Sequence, residues 1–267
     1  MRNTRLKKRL VPKLLIKPRR LGVATRPVLV TTRQFDTCRD VGDPVSQAKI
    51  YEAQLADELV VLNIDSTPIG ADEVMLSLIE RLASETFMPL AVGGGVRSVE
   101  DFARLLERGA DKVSINTLAL DRPDLITEAA ARFGAQCVVV SIDFRTDAAG
   151  RAVVHRDRAR EATEWTVVEW ALEVARRGAG ELLLADADRD GMGAGLNCAV
   201  SSAVAAAVDI PVILSGGCGL AEHFVDGIRL GGAEAVAAGT FFCFRDQNPM
   251  QTRAHIRNAG IPIRMET

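Results

Sequence analysis

Short apolar runs recur along the chain at residues 10–16, 58–64, 90–92, 112–115, 137–142, 181–185, 211–214 and 235–238. Each is of strand length and rich in Val, Leu, Ile or Ala, the pattern of a strand buried on both faces. Between them the apolar positions fall three and four residues apart. That spacing predicts helices over 45–55, 71–86, 98–108, 123–133, 164–177, 197–208 and 221–230, with a last one near 250–259. Strands alternating with helices of this length specify βαβ units and a parallel sheet. Eight such units predict an α/β fold, a single (β/α)8 TIM barrel spanning residues 1–267, rather than an open doubly wound sheet.

An internal repeat favours closure. GGVRSVEDFARLLERGADKVSIN, from Gly94, returns as GGCGLAEHFVDGIRLGGAEAVAAG, from Gly216, at an offset of 122 and then 123 residues. Each copy reads strand end, Gly-Gly turn, amphipathic helix, Gly-Ala, short strand. Such a turn suits a phosphate, because glycine lets backbone N–H groups approach the anion and the following helix starts there. Two copies half a chain apart predict a half-barrel duplication with two anion sites and a phosphorylated, two-headed ligand. Pro44 and Pro123 stand at helix starts, and Gly109, Gly178 and Gly231 are positioned as left-handed caps. Residues 17–43 are long for a βα connection and are expected as a loop after strand one, a possible lid on the catalytic face.

Composition narrows the class. Apolar content of 48% with only 4% aromatic describes a Val/Ala/Leu interior, and a net charge of -2 gives no general attraction to nucleic acid or membrane. No run approaches the length of a spanning helix. Cys38, Cys137, Cys198, Cys218 and Cys243 are far apart, which predicts free thiols in a reducing, cytoplasmic setting. His155, His223 and His255 are equally scattered, so neither a metal nor a cofactor is expected. The start is basic, with Asp36 the first acid, and is read as a collar around one barrel mouth rather than an organelle address.

In a barrel of this kind chemistry sits at the C-terminal strand ends. Asp143 closes VVVSID, where a carboxylate can act as general acid or base or merely cap a loop. Asp188 and Asp190, in DADRDG, allow the same two readings. The glycine-rich sites are 93–95 with Asn116 and Thr117, then 215–217 with Gly239 and Thr240. At the opposite ends Arg9, Glu58, Lys112 and Glu181 open or precede strands one, two, four and six. Glu58 and Glu181 are again 123 apart. Their alternating charges could form a salt-bridge ring or be ordinary rim solvation.

The segments DVGDP, DELVVLNI, VGGGV, GADKVSINT, VVVSID, GAGELLLADADRDG, LSGGCG and AVAAGTFF together resemble one family closely, over nearly the whole chain. It is similar to the HisF family, the cyclase subunit of imidazole glycerol phosphate synthase. The resemblance implies a heterodimer with a HisH-like glutaminase on the N-terminal face. Ammonia would cross the barrel to a phosphorylated small-molecule substrate at the other face. It implies an ammonia gate of Arg9, Glu58, Lys112 and Glu181, and a partner-interface acid at Asp111. It further implies phosphate binding by Gly95, Asn116, Thr117, Asp190, Gly191, Gly217, Gly239 and Thr240, and catalysis by Asp143.

One family feature is missing. The first strand of the family carries a second catalytic aspartate, and VPKLLI places Leu15 there. A leucine cannot move a proton, and a general acid/base group typically contributes about 10²–10⁴-fold. Neighbouring departures are Thr31 in place of a loop lysine, Asn63, Ala185, and RAREATE at 158–164. The PKLLIK context resembles paralogues that work with a glutaminase and an amidotransferase to build acetamidino groups on nucleotide-activated sugars. The expectation is therefore an ammonia-receiving subunit repurposed for amidino-sugar synthesis. An authentic histidine-pathway cyclase and a silent barrel that activates a glutaminase are the alternatives.

Overall fold

The computed structural model describes residues 7–21, 24–65, 67–244 and 247–264, so the first six residues of the basic start and Gly22–Val23 of the long first connection lie outside it. Eight parallel strands form a closed circuit: β1 (Arg9–Leu21), β4 (Leu59–Asn63), β5 (Leu90–Gly93), β6 (Lys112–Ile115), β7 (Val138–Thr146), β10 (Glu181–Asp186), β11 (Val212–Ser215) and β12 (Ala235–Ala238). Each pairs with the next, and β12 closes on β1 through Arg9 to Pro12 against Ala235 to Ala238. The expected barrel is present.

The helices lie close to their predicted spans: α1 (Pro44–Ala53), α2 (Glu73–Glu85), α3 (Val99–Glu107), α5 (Asp124–Phe133), α6 (Val167–Arg176), α7 (Cys198–Ala207), α8 (Glu222–Arg229) and α10 (Pro249–Asn258). Asp43, Asp72, Ser98 and Asn197 cap four of them through side-chain oxygens, and Thr166 and Asn248 complete capping boxes. Two short helices, α4 (Thr117–Asp121) and α9 (Thr240–Phe244), follow β6 and β12 and were not evident in the pattern. One cap differs: after α8 the left-handed glycine is Gly232, at φ +64°, not Gly231.

Residues 17–43 are not an irregular loop. β1 continues past the rim to Leu21 and pairs antiparallel with β2 (Ala24–Arg33), which pairs in turn with β3 (Thr37–Gly42). The second half repeats the device, since β7 runs on to pair with β8 (Ala152–Arg156) and β8 with β9 (Glu161–Thr166). The predicted start of α6 at residue 164 therefore falls inside β9. The duplication extends to these ribbons.

Alternation of side chains builds the barrel in layers. Outward residues such as Leu10, Leu14, Leu59, Val61, Val138 and Val140 pack against the helices. Inward, Val11, Val60, Ala91, Val139, Leu183, Ile213, Ala235 and Ala237 form a separate apolar layer across the axis. These small residues leave charged and polar side chains above and below to define the two ends. No helix of the described residues is long and apolar enough to cross a membrane.

Candidate active site and its gate

At the N-terminal end the four predicted charges form a closed ring. Arg9 reaches Glu58 at 2.5 Å and also pairs with Glu181, while the Lys112 ammonium lies 2.8 Å from each glutamate. The Glu58 and Glu181 side chains are only 3% and 6% exposed, so this is not rim solvation. Burial alone would push the Arg9 guanidinium down; the carboxylates of Glu181 and Glu58 outweigh it and hold the group charged. Asp111 lies nearby on the same end, where its carboxylate accepts from the Leu90 N–H at 2.8 Å. Glu234 does the same for Val212, at 2.9 Å, in the other half.

At the C-terminal end the two glycine turns are built alike. A Cβ on Gly94 would sit 1.9 Å from the Asn63 carbonyl oxygen, and one on Gly216 would sit 2.5 Å from that of Asp186. Both glycines also take positive φ, near +91°. Only glycine lets the chain pass so close to the neighbouring strand end. Asn63 and Asp186 correspond across the repeat, and each accepts a 3.0 Å bond from the N–H two residues on, Asp65 and Asp188. The Asx turn in DADRDG is therefore made by Asp186, not by Asp188 or Asp190.

Asp188 is occupied elsewhere, accepting from Arg145 at 2.6 Å and from the Thr146 N–H at 2.9 Å. Asp190 is buried, accepts from the Thr32 hydroxyl at 2.5 Å and faces the Lys13 ammonium at 3.8 Å. Gly191, Gly217, Gly239 and Thr240 join Lys13, Asp190 and Ser215 around one cleft at the ends of β11 and β12. Gly95, Asn116 and Thr117 stand at the ends of β5 and β6 in the other half. There the buried Asn116 Oδ1 has no hydrogen-bond partner, and the Thr117 hydroxyl accepts from the Asp157 N–H at 3.2 Å.

Asp143 is buried at the end of the inward face of β7. Burial is the main force on its carboxyl and raises it from 3.8 to about 6; Asn116, Lys13 and Ser141 pull it down, while Asp190 adds to the rise. A carboxyl in that range can give or take a proton near neutral pH. Register identifies its partner in the other half. Asp143 pairs with Ala185 and Leu15 with Leu62, positions 123 apart, so Leu15 is the equivalent of Asp143. By the same count Lys13 is the equivalent of Ser141.

Each ribbon covers the opposite half. The turn at residues 34–36 lies against the loop after β10, with the Gln34 N–H on Asp190 O at 2.8 Å and the Gln34 amide on Asp188 O at 3.0 Å. The turn at 157–159 lies against the first half, through Thr117 and through Arg158 to Ile64 O at 3.5 Å.

A family model described as "Histidine biosynthesis protein" matches residues 23–247. The chain is 52% identical to a Prochlorococcus marinus protein provisionally named imidazole glycerol phosphate synthase subunit hisF2, over 98% of this chain and 99% of that one. The chain belongs to the HisF family. A HisF member named imidazole glycerol phosphate synthase subunit HisF, from Halalkalibacterium halodurans, is 43% identical over 97% of this chain and its own full length.

Of the residues brought together at this HisF mouth, Lys13, Thr32 and Ser141 are not singled out by the sequence, and Ser215 is visible there only as part of a glycine turn. Lys13 had a visible signal, a charge at an inward step of an apolar strand. Thr32 had none, because its contact with Asp190 depends on a ribbon whose strands show no regular alternation.

Proposed function

We propose that this chain is an imidazole glycerol phosphate synthase-type subunit that receives ammonia through the barrel and adds it to a phosphorylated acceptor at the C-terminal mouth. The observation that carries the reading is the coexistence of the closed Arg9–Glu58–Lys112–Glu181 ring with Asp143 at one strand end and Leu15 at the equivalent one. The ring lies where a HisH-like glutaminase would dock and release ammonia, with Asp111 beside it. Ammonia is small and neutral, so the apolar layer above the ring offers it little resistance.

At the mouth, Gly95, Asn116 and Thr117 would hold one phosphate and Gly191, Gly217, Gly239 and Thr240 the other. Asp190 would contribute through its backbone, since its carboxylate is taken by Thr32 and would repel an anion. Asp143 would take the proton that the attacking ammonia nitrogen sheds and return it to the acceptor's carbonyl oxygen, which leaves as water. With Leu15 opposite, a ring closure that needs two carboxylates has lost one of them. We assign the chain to a reaction that needs only one, the amination of a nucleotide-activated sugar in amidino-sugar synthesis. The 43% identity to the Halalkalibacterium protein over its full length favours a second reading, the histidine-pathway cyclase itself.

The deciding experiment supplies purified chain with the formimino ribulotide substrate and excess ammonium at alkaline pH, which removes the need for a glutaminase. Repurposing predicts binding of the substrate with turnover at least a hundredfold below that of a HisF cyclase. Turnover within about tenfold of one would instead support the second reading.

A further inference from the structure

The inward positions of β1 run Arg9, Val11, Lys13, Leu15. Arg9 belongs to the ring and Val11 to the apolar layer, so Lys13 is a charge placed inside the barrel with no role in the gate. Its side chain is 6% exposed. The carboxylate it faces, Asp190, lies 3.8 Å away, too far for a hydrogen bond, and already accepts from Thr32. Among the described residues the ammonium donates no hydrogen bond, so its donors remain available to a bound group.

Ser215 has the same character. It is 1% exposed, lines the same cleft at the end of β11, and its hydroxyl has no hydrogen-bond partner. A buried donor is costly when left unpaired, and the Ser215 hydroxyl, beside a Lys13 ammonium that has an ion pair but no hydrogen bond, marks a place completed by a ligand. The ligand must be an acceptor, because an ammonium only donates. A negative acceptor gains from the Lys13 ammonium, which offsets the Asp190 carboxylate facing it.

The other half has no counterpart. Ser141 stands where Lys13 would be, and Gly93 where Ser215 would be. The two ends of the mouth are therefore chemically unequal, one carrying the buried Lys13–Asp190 pair and the Ser215 hydroxyl, the other Ser141 and Gly93 at the equivalent positions. We infer that Lys13 and Ser215 are direct ligands of a phosphoryl group held between the ends of β11 and β12, and that they make this the end that binds the acceptor's phosphoryl group more tightly. The inference rests on the reading of that glycine turn as a phosphate site. It orients the acceptor: the phosphoryl group that takes more hydrogen bonds from the protein goes to the β11–β12 end.

The test titrates inorganic phosphate into the full-length chain at pH 8 by calorimetry, for the parent, Lys13→Met, Lys13→Arg, Ser215→Ala and, as a control in the other half, Thr117→Val. Lys13→Met should weaken the tighter site at least tenfold and Ser215→Ala severalfold, while Lys13→Arg retains most of the affinity and Thr117→Val leaves that site unchanged. Melting temperatures and circular dichroism check that each variant is folded. As a measurement needing no folded variant, phosphate should shift the Lys13 side-chain resonance in parent protein labelled with [13C]lysine. Phosphate bound equally by the parent, Lys13→Met and Ser215→Ala, with no such shift, would overturn the inference and leave the phosphate reading standing. A parent chain that binds no phosphate overturns both.

Discussion

Arg145 donates a 2.6 Å hydrogen bond to Asp188, and its remaining nitrogens reach the carbonyl oxygens of Ala159, at 3.0 Å, and Gln34, at 3.2 Å. One guanidinium thus holds the turns of both ribbons. The Arg145–Asp188 pair is partly exposed, so its direct worth is about 1 kcal/mol at most. Arg145→Ala should barely change global stability yet speed hydrogen exchange at the Gln34 and Asp157 amides together, by tenfold or more. Exchange that rises at one turn alone would show that Arg145 does not couple them.

Asp143 should trade stability against activity. Its carboxyl titrates near 6 in the folded chain and near 3.8 when unfolded, because burial penalises the charged form. The folded state therefore binds the extra proton between those values, and stability falls as pH rises through that window. Above pH 6 the ionised group costs about 3 kcal/mol. Asp143→Asn should be more stable than the parent in urea at pH 8, with the advantage vanishing below pH 4. Ammonium-dependent turnover should fall about 10²–10⁴-fold. Equal stability at pH 8 would mean that the carboxyl is better solvated than its surroundings indicate.

The barrel and its helices were legible in the chain because each rests on local pattern or on a repeat. Glu58 and Glu181 stand one repeat apart, though spacing alone left a ring and ordinary rim solvation both open, and the glycine turns show as copies of one another. The ribbons were not legible. β3 is exposed at most of its positions, and β2 is exposed at one end and buried at the other, so neither shows the alternation that marks a half-buried strand. Thr32 and Arg145 were lost with them. Ser215 was seen only as part of a glycine turn, because the burial that isolates its hydroxyl comes from strands far away in the chain.

The ring should respond unequally to the loss of its two cations. Arg9→Ala leaves Glu58 and Glu181 buried with Lys112 alone, and breaking such a pair typically costs about 3–5 kcal/mol. Lys112 is the more exposed cation at 20%, so Lys112→Met should cost less. Urea unfolding at low and high salt would check both, and the Arg9 effect should persist at high salt because a buried pair is poorly screened. An Arg9 loss below 1 kcal/mol would mean that the ring opens readily in solution.

Leu15→Asp restores a carboxylate opposite Asp143. It should reduce stability by about 1–3 kcal/mol, as an apolar side chain becomes a buried charge. It should also raise ammonium-dependent turnover of the formimino ribulotide by at least tenfold. Unchanged turnover, in a variant that still binds the substrate, would place the obstacle in the ribbons or in Lys13 rather than at residue 15.

The crossing of the ribbons gives the duplication a meaning beyond symmetry. Each half lends its roof to its neighbour: the turn at 34–36 shelters Asp190, and the turn at 157–159 shelters Thr117. A half-barrel living alone would carry its glycine turns uncovered, with its own ribbon reaching over nothing. With two copies joined, each ribbon lies against the strand ends of the other half. Injury to either ribbon is therefore felt on the far side of the barrel, at the strand ends of the other half.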